Sequence, residues 1–294
     1  MELKTTNSSE TSRGLDQQLD DLWFDLSDGE KNVLIDLIKK AKFTRSGRTE
    51  IDEISVVREY LTASLEEGGF SFDIPDEIPE MVKSYTGSKE TQLKVQKPSC
   101  NISELIATRS SVRDFHRKPM KMSQLSELLY TAYGVKGFIS AYGENKFPTR
   151  IVPSSGGLQS TETYLIVNDV EGLEQGLYHF NPVNESLQLI DLGIMRRTLV
   201  KACSSTDWIG NASVVLALTC DLNKLIWKYG RRAYKMSHID LGIVAENFHL
   251  VAHDMELGSC MLAGFDENQL NTILNIDGKK EFIGLLIAVG HPLK

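Results

Sequence analysis

The chain has 294 residues, 41% of them hydrophobic, which is enough for one large core or a core with a small appendage. Its formal net charge is −8 and no stretch is clearly basic, which argues against a nucleic-acid partner. No apolar run approaches the ~20 residues needed to cross a bilayer, and the polar N-terminus lacks a secretory signal's apolar segment, so a cytoplasmic protein without a membrane partner is expected.

Four scattered cysteines, Cys100, Cys203, Cys220 and Cys260, form no Cys-x-x-Cys pair and read as reduced thiols. The acidity is local: residues 1–95 carry 20 acidic and 12 basic side chains, the remainder 20 of each. Residues 1–22 read as a disordered N-terminus and 23–99 as an acidic helical module with its linker. Within that module, Ser27 and Glu30 form a capping box before Val33, Leu34, Leu37 and Ile38. A second helix is expected from about Asp52 to Leu65, stopped by Gly68-Gly69, and Phe70–Phe72 reads as a short strand. That order suits a small winged-helix-like unit. Residues 73–99, with Pro75, Pro79 and Pro98, read as the linker.

From residue 100 the pattern becomes α+β. The spacing predicts helices at Ile102–Thr108, from a cap at Ser123 through Leu125, Leu128, Leu129 and Ala132 to Gly134 or Gly137, and at Glu267–Leu274. It also predicts a long helix from Arg231 to Met255, with Met236, Ile239, Ile243, Val244, Phe248, Val251 and Met255 on one face. Strands are expected at Thr163–Val167, Ala212–Thr219 and Ile283–Val289, with a hairpin of Gly176–Pro182 and Ser186–Ile190 turning at Asn181-Pro182. The alternation is irregular, so a mixed sheet flanked by helices is expected rather than a regular doubly wound one.

Four segments carry candidate chemistry. Lys228 and Tyr229 sit beside Arg231, Arg232, Tyr234 and Lys235 at the mouth of the long helix. A phenol with an ordinary pKa near 10 is a poor base unless cations lower it, and a desolvated lysine is the alternative base. Arg109-Ser110-Ser111-Val112-Arg113 offers guanidinium groups, hydroxyls and amides for a phosphate. Pro153-Ser154-Ser155-Gly156-Gly157 lets backbone approach a flat ligand, and the segment from Leu257 to Phe265 reads as a similar loop. Taken alone, each also fits a solvated helix end or a plain surface loop. A Rossmann fingerprint, a phosphate loop and a Gly-x-Ser-x-Gly elbow are all absent. His249 and His253 have metal-compatible spacing but lack a third ligand, so no metal is expected.

In this order, the Arg-x-Ser-Val-Arg-x-Phe loop at 109–115, the Pro-Ser-Ser-Gly-Gly loop running to Glu162, Gly-Leu-Tyr-His-Phe at 176–180, and Trp-Lys-Tyr-Gly-Arg-Arg-Ala-Tyr-Lys…Asp-Leu-Gly at 227–242 resemble the nitroreductase superfamily of FMN enzymes. The last two look most like its SagB-type azoline dehydrogenases. The resemblance covers residues 100–294 and implies an FMN-binding dehydrogenase domain there. It implies FMN contacts from Arg109, Ser111 and Arg113 at the phosphate end, from Ser154, Ser155 and Gly156 along the ring or ribityl chain, and from Leu262, Ala263 and Gly264 on the other side. Lys228 and Tyr229 match the group's catalytic pair. Two departures stand out: Ser110 replaces a second arginine, and the chain stops at Lys294, soon after Gly290-His291-Pro292.

The implied activity is oxidation of peptide thiazolines or oxazolines to thiazoles or oxazoles in a bacteriocin-like, ribosomal-peptide pathway. The implied partners are an azoline-containing peptide, a second copy of the chain in a homodimer, and a cyclodehydratase. An NAD(P)H-dependent nitro- or quinone reductase and a non-catalytic scaffold subunit are the alternatives. For Lys228 and Tyr229 to reach one substrate ring, the pair is expected in the turn before the long helix, because helix neighbours diverge by about 100°.

Overall fold

A computed structural model describes residues 83–94, 102–203 and 206–293. The expected N-terminal disorder, the capping box at Ser27, the second helix, the Phe70–Phe72 strand and the winged-helix-like unit lie outside the described residues, as does Cys100.

The chain runs through β1 (Glu90–Gln92), α1 (Ile102–Thr108), β2 (Phe115–His116), α2 (Met122–Tyr133), β3 (Val135–Ala141) and β4 (Glu144–Arg150). It continues through β5 (Thr161–Val167), β6 (Gly176–Asn181), β7 (Ser186–Leu192), α3 (Arg196–Ala202), β8 (Val214–Asp221) and α4 (Asn223–Tyr229). α5 (Ala233–Asp254), β9 (Gly258–Leu262), α6 (Glu267–Leu274) and β10 (Glu281–Pro292) complete it. Among the described residues, an eight-stranded sheet has the order β1-β7-β6-β5-β8-β10-β2, with β9 also on β10, and β3 and β4 form a separate hairpin. The ladders are antiparallel, and isolated parallel bridges join Ser111 to Ser259 and Met120 to Val170. This is the expected α+β class, a sheet flanked by helices.

The apolar runs predicted as strands are continuous because both sheet faces are covered. Leu165, Val167, Leu216, Leu218 and Ile287 meet Leu125, Leu128, Leu129 and Ala132 of α2 and Leu241, Val244 and Phe248 of α5 on one face. Tyr164, Ile166, Val215, Ala217 and Leu286 meet Leu199 of α3 and Leu270 and Leu274 of α6 on the other. Successive strand residues point to opposite faces, so each run fills two cores at once.

Five expectations change. Residues 83–94 do not read as linker in three dimensions: β1 pairs with β7, and Lys83 forms an ion pair with Glu281 of β10. The α2 cap is Lys121 rather than Ser123, and Gln124 Oε1 accepts the Lys121 N–H at 3.1 Å. The helix predicted from Arg231 to Met255 is α5, Ala233–Asp254, and its expected first residues belong to a 3-10 turn, Gly230–Arg232, that separates it from an additional helix, α4, ending at Tyr229. Gly230 makes the break with φ 51°. Ile239, predicted inward, is 48% exposed, because the buried stripe of α5 runs through Ser237, Asp240, Leu241 and Val244. The segment 258–262 is strand rather than loop, since it finds free edge positions on β10.

Candidate active site

α4 begins after β8, where Leu222 N–H donates to Lys280 O and the Asp221 carboxylate accepts from the Asn223 backbone N–H at 3.0 Å. Its position on the sheet is fixed by a charge. Lys224 is fully buried and pairs with Glu162 of β5, whose other oxygen meets His179 Nε2 at 2.8 Å. The Lys224 charge and the His179 contact outweigh burial and hold the Glu162 carboxyl well below the usual range. One turn further on, α4 carries Lys228 and Tyr229.

The Ser-Gly loop between β4 and β5 meets that pair. Ser155–Gly157 is a 3-10 turn in which Gly156 has φ 61°. A Cβ at Gly156 would lie 2.7 Å from both Lys228 Nζ and Tyr229 OH, and 3.2 Å from Tyr142 OH. Two long side chains from the end of α4 thus converge over one glycine. The expected turn before the long helix is therefore the last turn of α4, and side-chain length rather than backbone direction brings the two groups together. Tyr142, from the β3–β4 hairpin, accepts from Lys228 Nζ at 2.5 Å and donates to Gly156 O at 2.7 Å.

The loop is held by α5. Asp240 is 2% exposed, and its carboxylate accepts from Ser155 N–H at 2.9 and 3.1 Å, from Ser155 Oγ at 2.9 Å and from Ser160 Oγ at 3.4 Å. Burial raises its carboxyl above the usual range despite these donors. Sequence reasoning missed Asp240 as a site residue and missed Tyr142 entirely. Asp240 had a signal, a lone acid on the helix face turned to the core; Tyr142 had none.

The expected cation effect on Tyr229 is present but outweighed. Burial raises the phenol above its ordinary value, and the charge and hydrogen bond of Lys228 offset this only in part. Arg231 and Lys235, also expected to help, are exposed.

The second group of predicted residues gathers further along α5. Arg109 lies 3.9 Å from Glu246 of α5, and Ser111 bridges Ser259 of β9, with Val112 N–H donating to Ser259 O at 2.9 Å. Arg113 is exposed and its charge bears on Cys260, beside Ser259. β9 then delivers Leu262, with Ala263 and Gly264 exposed beyond it. His249 of α5 shares a hydrogen bond with Ser259 Oγ at 3.0 Å, while its Nε2 is buried without a partner among the described residues. His253 instead meets Thr108 Oγ1 at 2.8 Å, and no group of three metal-ligating side chains occurs among the described residues. Asp240 and His249 are nine residues apart, about 14 Å along the helix axis. α5 is therefore the spine joining the Lys228–Tyr229–Gly156 group at one end to the Arg109–Ser111–Ser259 group at the other.

Among the described residues, no helix is long and apolar enough to cross a membrane. Residues 106–291 match the sequence pattern of the nitroreductase family. A Methanocaldococcus jannaschii protein with a provisional nitroreductase name is 31% identical over 193 residues, covering 66% of this chain and 92% of that one. The microcin B17-processing protein McbC of Escherichia coli is 25% identical over 134 residues, covering 44% of this chain and 49% of that one. The fold is shared with a chain of the E. coli microcin synthetase McbBCD complex, solved with truncated pro-MccB17 bound, at a TM-score of 0.54, 19% identity and coverage of 84% and 95%. With its matched region spanning both ends of the α5 spine, the chain belongs to the nitroreductase family.

Proposed function

We propose that the protein is an FMN-dependent dehydrogenase that oxidises thiazolines or oxazolines in a ribosomally made peptide to thiazoles or oxazoles. The observation that carries this reading is the convergence of Lys228 Nζ and Tyr229 OH over Gly156. The peptide-processing role in the name of the E. coli relative supports the substrate class.

FMN is the cofactor that members of the nitroreductase family bind. The residues fit such a ligand. A Cβ at Gly157 or Gly264 would meet nothing within 4 Å, so the backbone there is open to a flat group. The orphaned Nε2 of His249 lies buried at the end of α5 nearer Arg109, which suits a polar ligand there. Arg109, Ser111 and Arg113 would hold the phosphate, and Ser154, Ser155, Gly156, Leu262, Ala263 and Gly264 would line the rest. When bound, the flavin supplies a two-electron acceptor.

Aromatising an azoline ring removes a proton from carbon together with a hydride equivalent. Tyr229, raised by burial, keeps its proton near neutral pH and is therefore a poor base. Proton removal is assigned to the Lys228 amine, which lies between two phenol rings. Gly156 leaves the space in which the substrate ring meets these groups.

The same reading extends to assembly and setting. The chain works as a cytoplasmic homodimer, and in company with a cyclodehydratase on the analogy of the microcin synthetase complex. A second reading, an NAD(P)H-dependent nitro- or quinone reductase, is favoured by the provisional name of the M. jannaschii relative.

One experiment separates them. Purified protein loaded with FMN is given an azoline-containing peptide under air, and the peptide's mass is followed for loss of two hydrogens. Steady NAD(P)H oxidation with a small quinone, and no change in peptide mass, would overturn the dehydrogenase reading in favour of the reductase.

A further inference from the structure

We propose that Tyr142, at the tip of the β3–β4 hairpin, is a positioning residue that holds the Lys228 amine over Gly156. The proposal rests on the reading of Lys228 as the reactive amine.

A lysine amine sits on four rotatable bonds and needs partners to stay in one place. Tyr142 supplies one: its hydroxyl accepts from Lys228 Nζ at 2.5 Å and donates a hydrogen bond to Gly156 O at 2.7 Å. This ties lysine, phenol and loop backbone into one chain of hydrogen bonds. The amine also lies 4.7 Å from the centroid of the Tyr142 ring and 5.4 Å from that of Tyr229, so it is flanked by two aromatic faces. The Tyr142 ring is itself fixed edge-on by Phe147 of β4 and by Trp227, the residue before Lys228, each with centroids 5.4 Å away.

The backbone adds an independent argument. Tyr142 and Gly143 form the two-residue turn between Ala141 and Glu144, with φ of 52° and 84°. Turns with both angles positive favour Asn, Asp or Gly, because a bulky side chain is strained there. A tyrosine in the first position costs conformational free energy that the turn itself does not return. The contacts to Lys228 and Gly156 are what that residue gains.

The test uses Tyr142→Phe, which keeps the ring packing and removes only the hydroxyl, in the full-length FMN-loaded protein. Lys228 is acylated with an N-hydroxysuccinimide ester of acetate, its labelling followed by mass spectrometry of peptic peptides, with exposed Lys235 as the internal reference. We expect Lys228 to label severalfold faster in the variant. We further expect kcat for azoline oxidation to fall about tenfold, with KM and FMN affinity at wild-type values. Lys228 labelling at the wild-type rate overturns the proposal whatever the turnover does. Wild-type protein that leaves azoline peptides unchanged defeats the functional reading instead, and the labelling arm still decides the role of Tyr142.

Discussion

Asp240 of α5 and Ser155 of the Ser-Gly loop, 85 residues apart in sequence, are joined by three hydrogen bonds: two from the Ser155 N–H and one from its hydroxyl. The carboxylate is inside the protein, and among the described residues its hydrogen bonds go to this loop and to Ser160. Gly156 is therefore placed by α5 together with the Tyr142 hydroxyl, and not by the loop's own sequence alone.

Asp240→Asn turns one acceptor into a donor aimed at another donor. The expected loss is about 1.5–3 kcal/mol of stability, with weaker FMN binding. Chemical denaturation and FMN fluorescence titration measure the two effects. Wild-type FMN affinity in a destabilised variant would show that the loop is not part of the cofactor cradle.

Lys228→Ala should retain the flavin's absorption and lower azole formation by about 10²-fold or more, the usual scale for a general base. Tyr229→Phe should cost less, because the phenol is raised by burial and is not the group that takes the proton. Rates are read by peptide mass spectrometry. Wild-type turnover in both variants would remove the pair from the mechanism.

Gly156→Ala tests the space over the glycine. Its φ of 61° costs a residue with Cβ roughly 1–2 kcal/mol, and the new methyl would stand 2.7 Å from Lys228 Nζ and Tyr229 OH. Those are mobile side-chain ends, so the protein should still fold while turnover falls much more than stability. A variant as active as wild type would mean that nothing reacts over Gly156.

Lys224→Met leaves the buried Glu162 carboxylate facing an uncharged side chain on its lysine side, and about 3–5 kcal/mol of stability should be lost. The double variant Lys224→Met with Glu162→Gln removes both charges and should recover much of that. Urea unfolding compares them. A single variant no less stable than the double would dismiss the buried pair as the anchor of α4.

Stability should also fall in mild acid because of His249. Burial, reinforced by the Arg109 charge, lowers its imidazole from 6.5 to about 4. Between those values the unfolded chain binds a proton that the native state refuses, so stability decreases as pH drops from about 6.5 to about 4. That interval carries the whole of this group's contribution. His249→Gln cannot titrate and should flatten the profile there; an unaltered profile would assign the loss to other groups.

The sequence by itself determined the α+β class and the place of most strands and helices. α1 and α6 lie where the spacing put them, and β5, β8 and β10 lie on the long apolar runs. Burial on two sheet faces or along one helix stripe is a local requirement, and it leaves a local periodicity. The same locality explains the misses. β1 is three polar residues that become a strand only because β7 offers an edge, and β9 reads as a Gly-Ser loop until β10 pairs with it.

The candidate site divides in the same way. Lys228, Tyr229 and the Ser-Gly loop were legible as chemistry-bearing residue types at close spacing. Their convergence was not, because it depends on the buried Lys224–Glu162 pair that seats α4 and on the Asp240 carboxylate that seats the loop. Tyr142 belongs to the cluster only through a hairpin whose tip reaches back to it. Side-chain type and short-range periodicity are written along the chain. Which distant groups share a proton or a hydrogen bond is decided only when packing brings elements 60 to 90 residues apart within 3 Å.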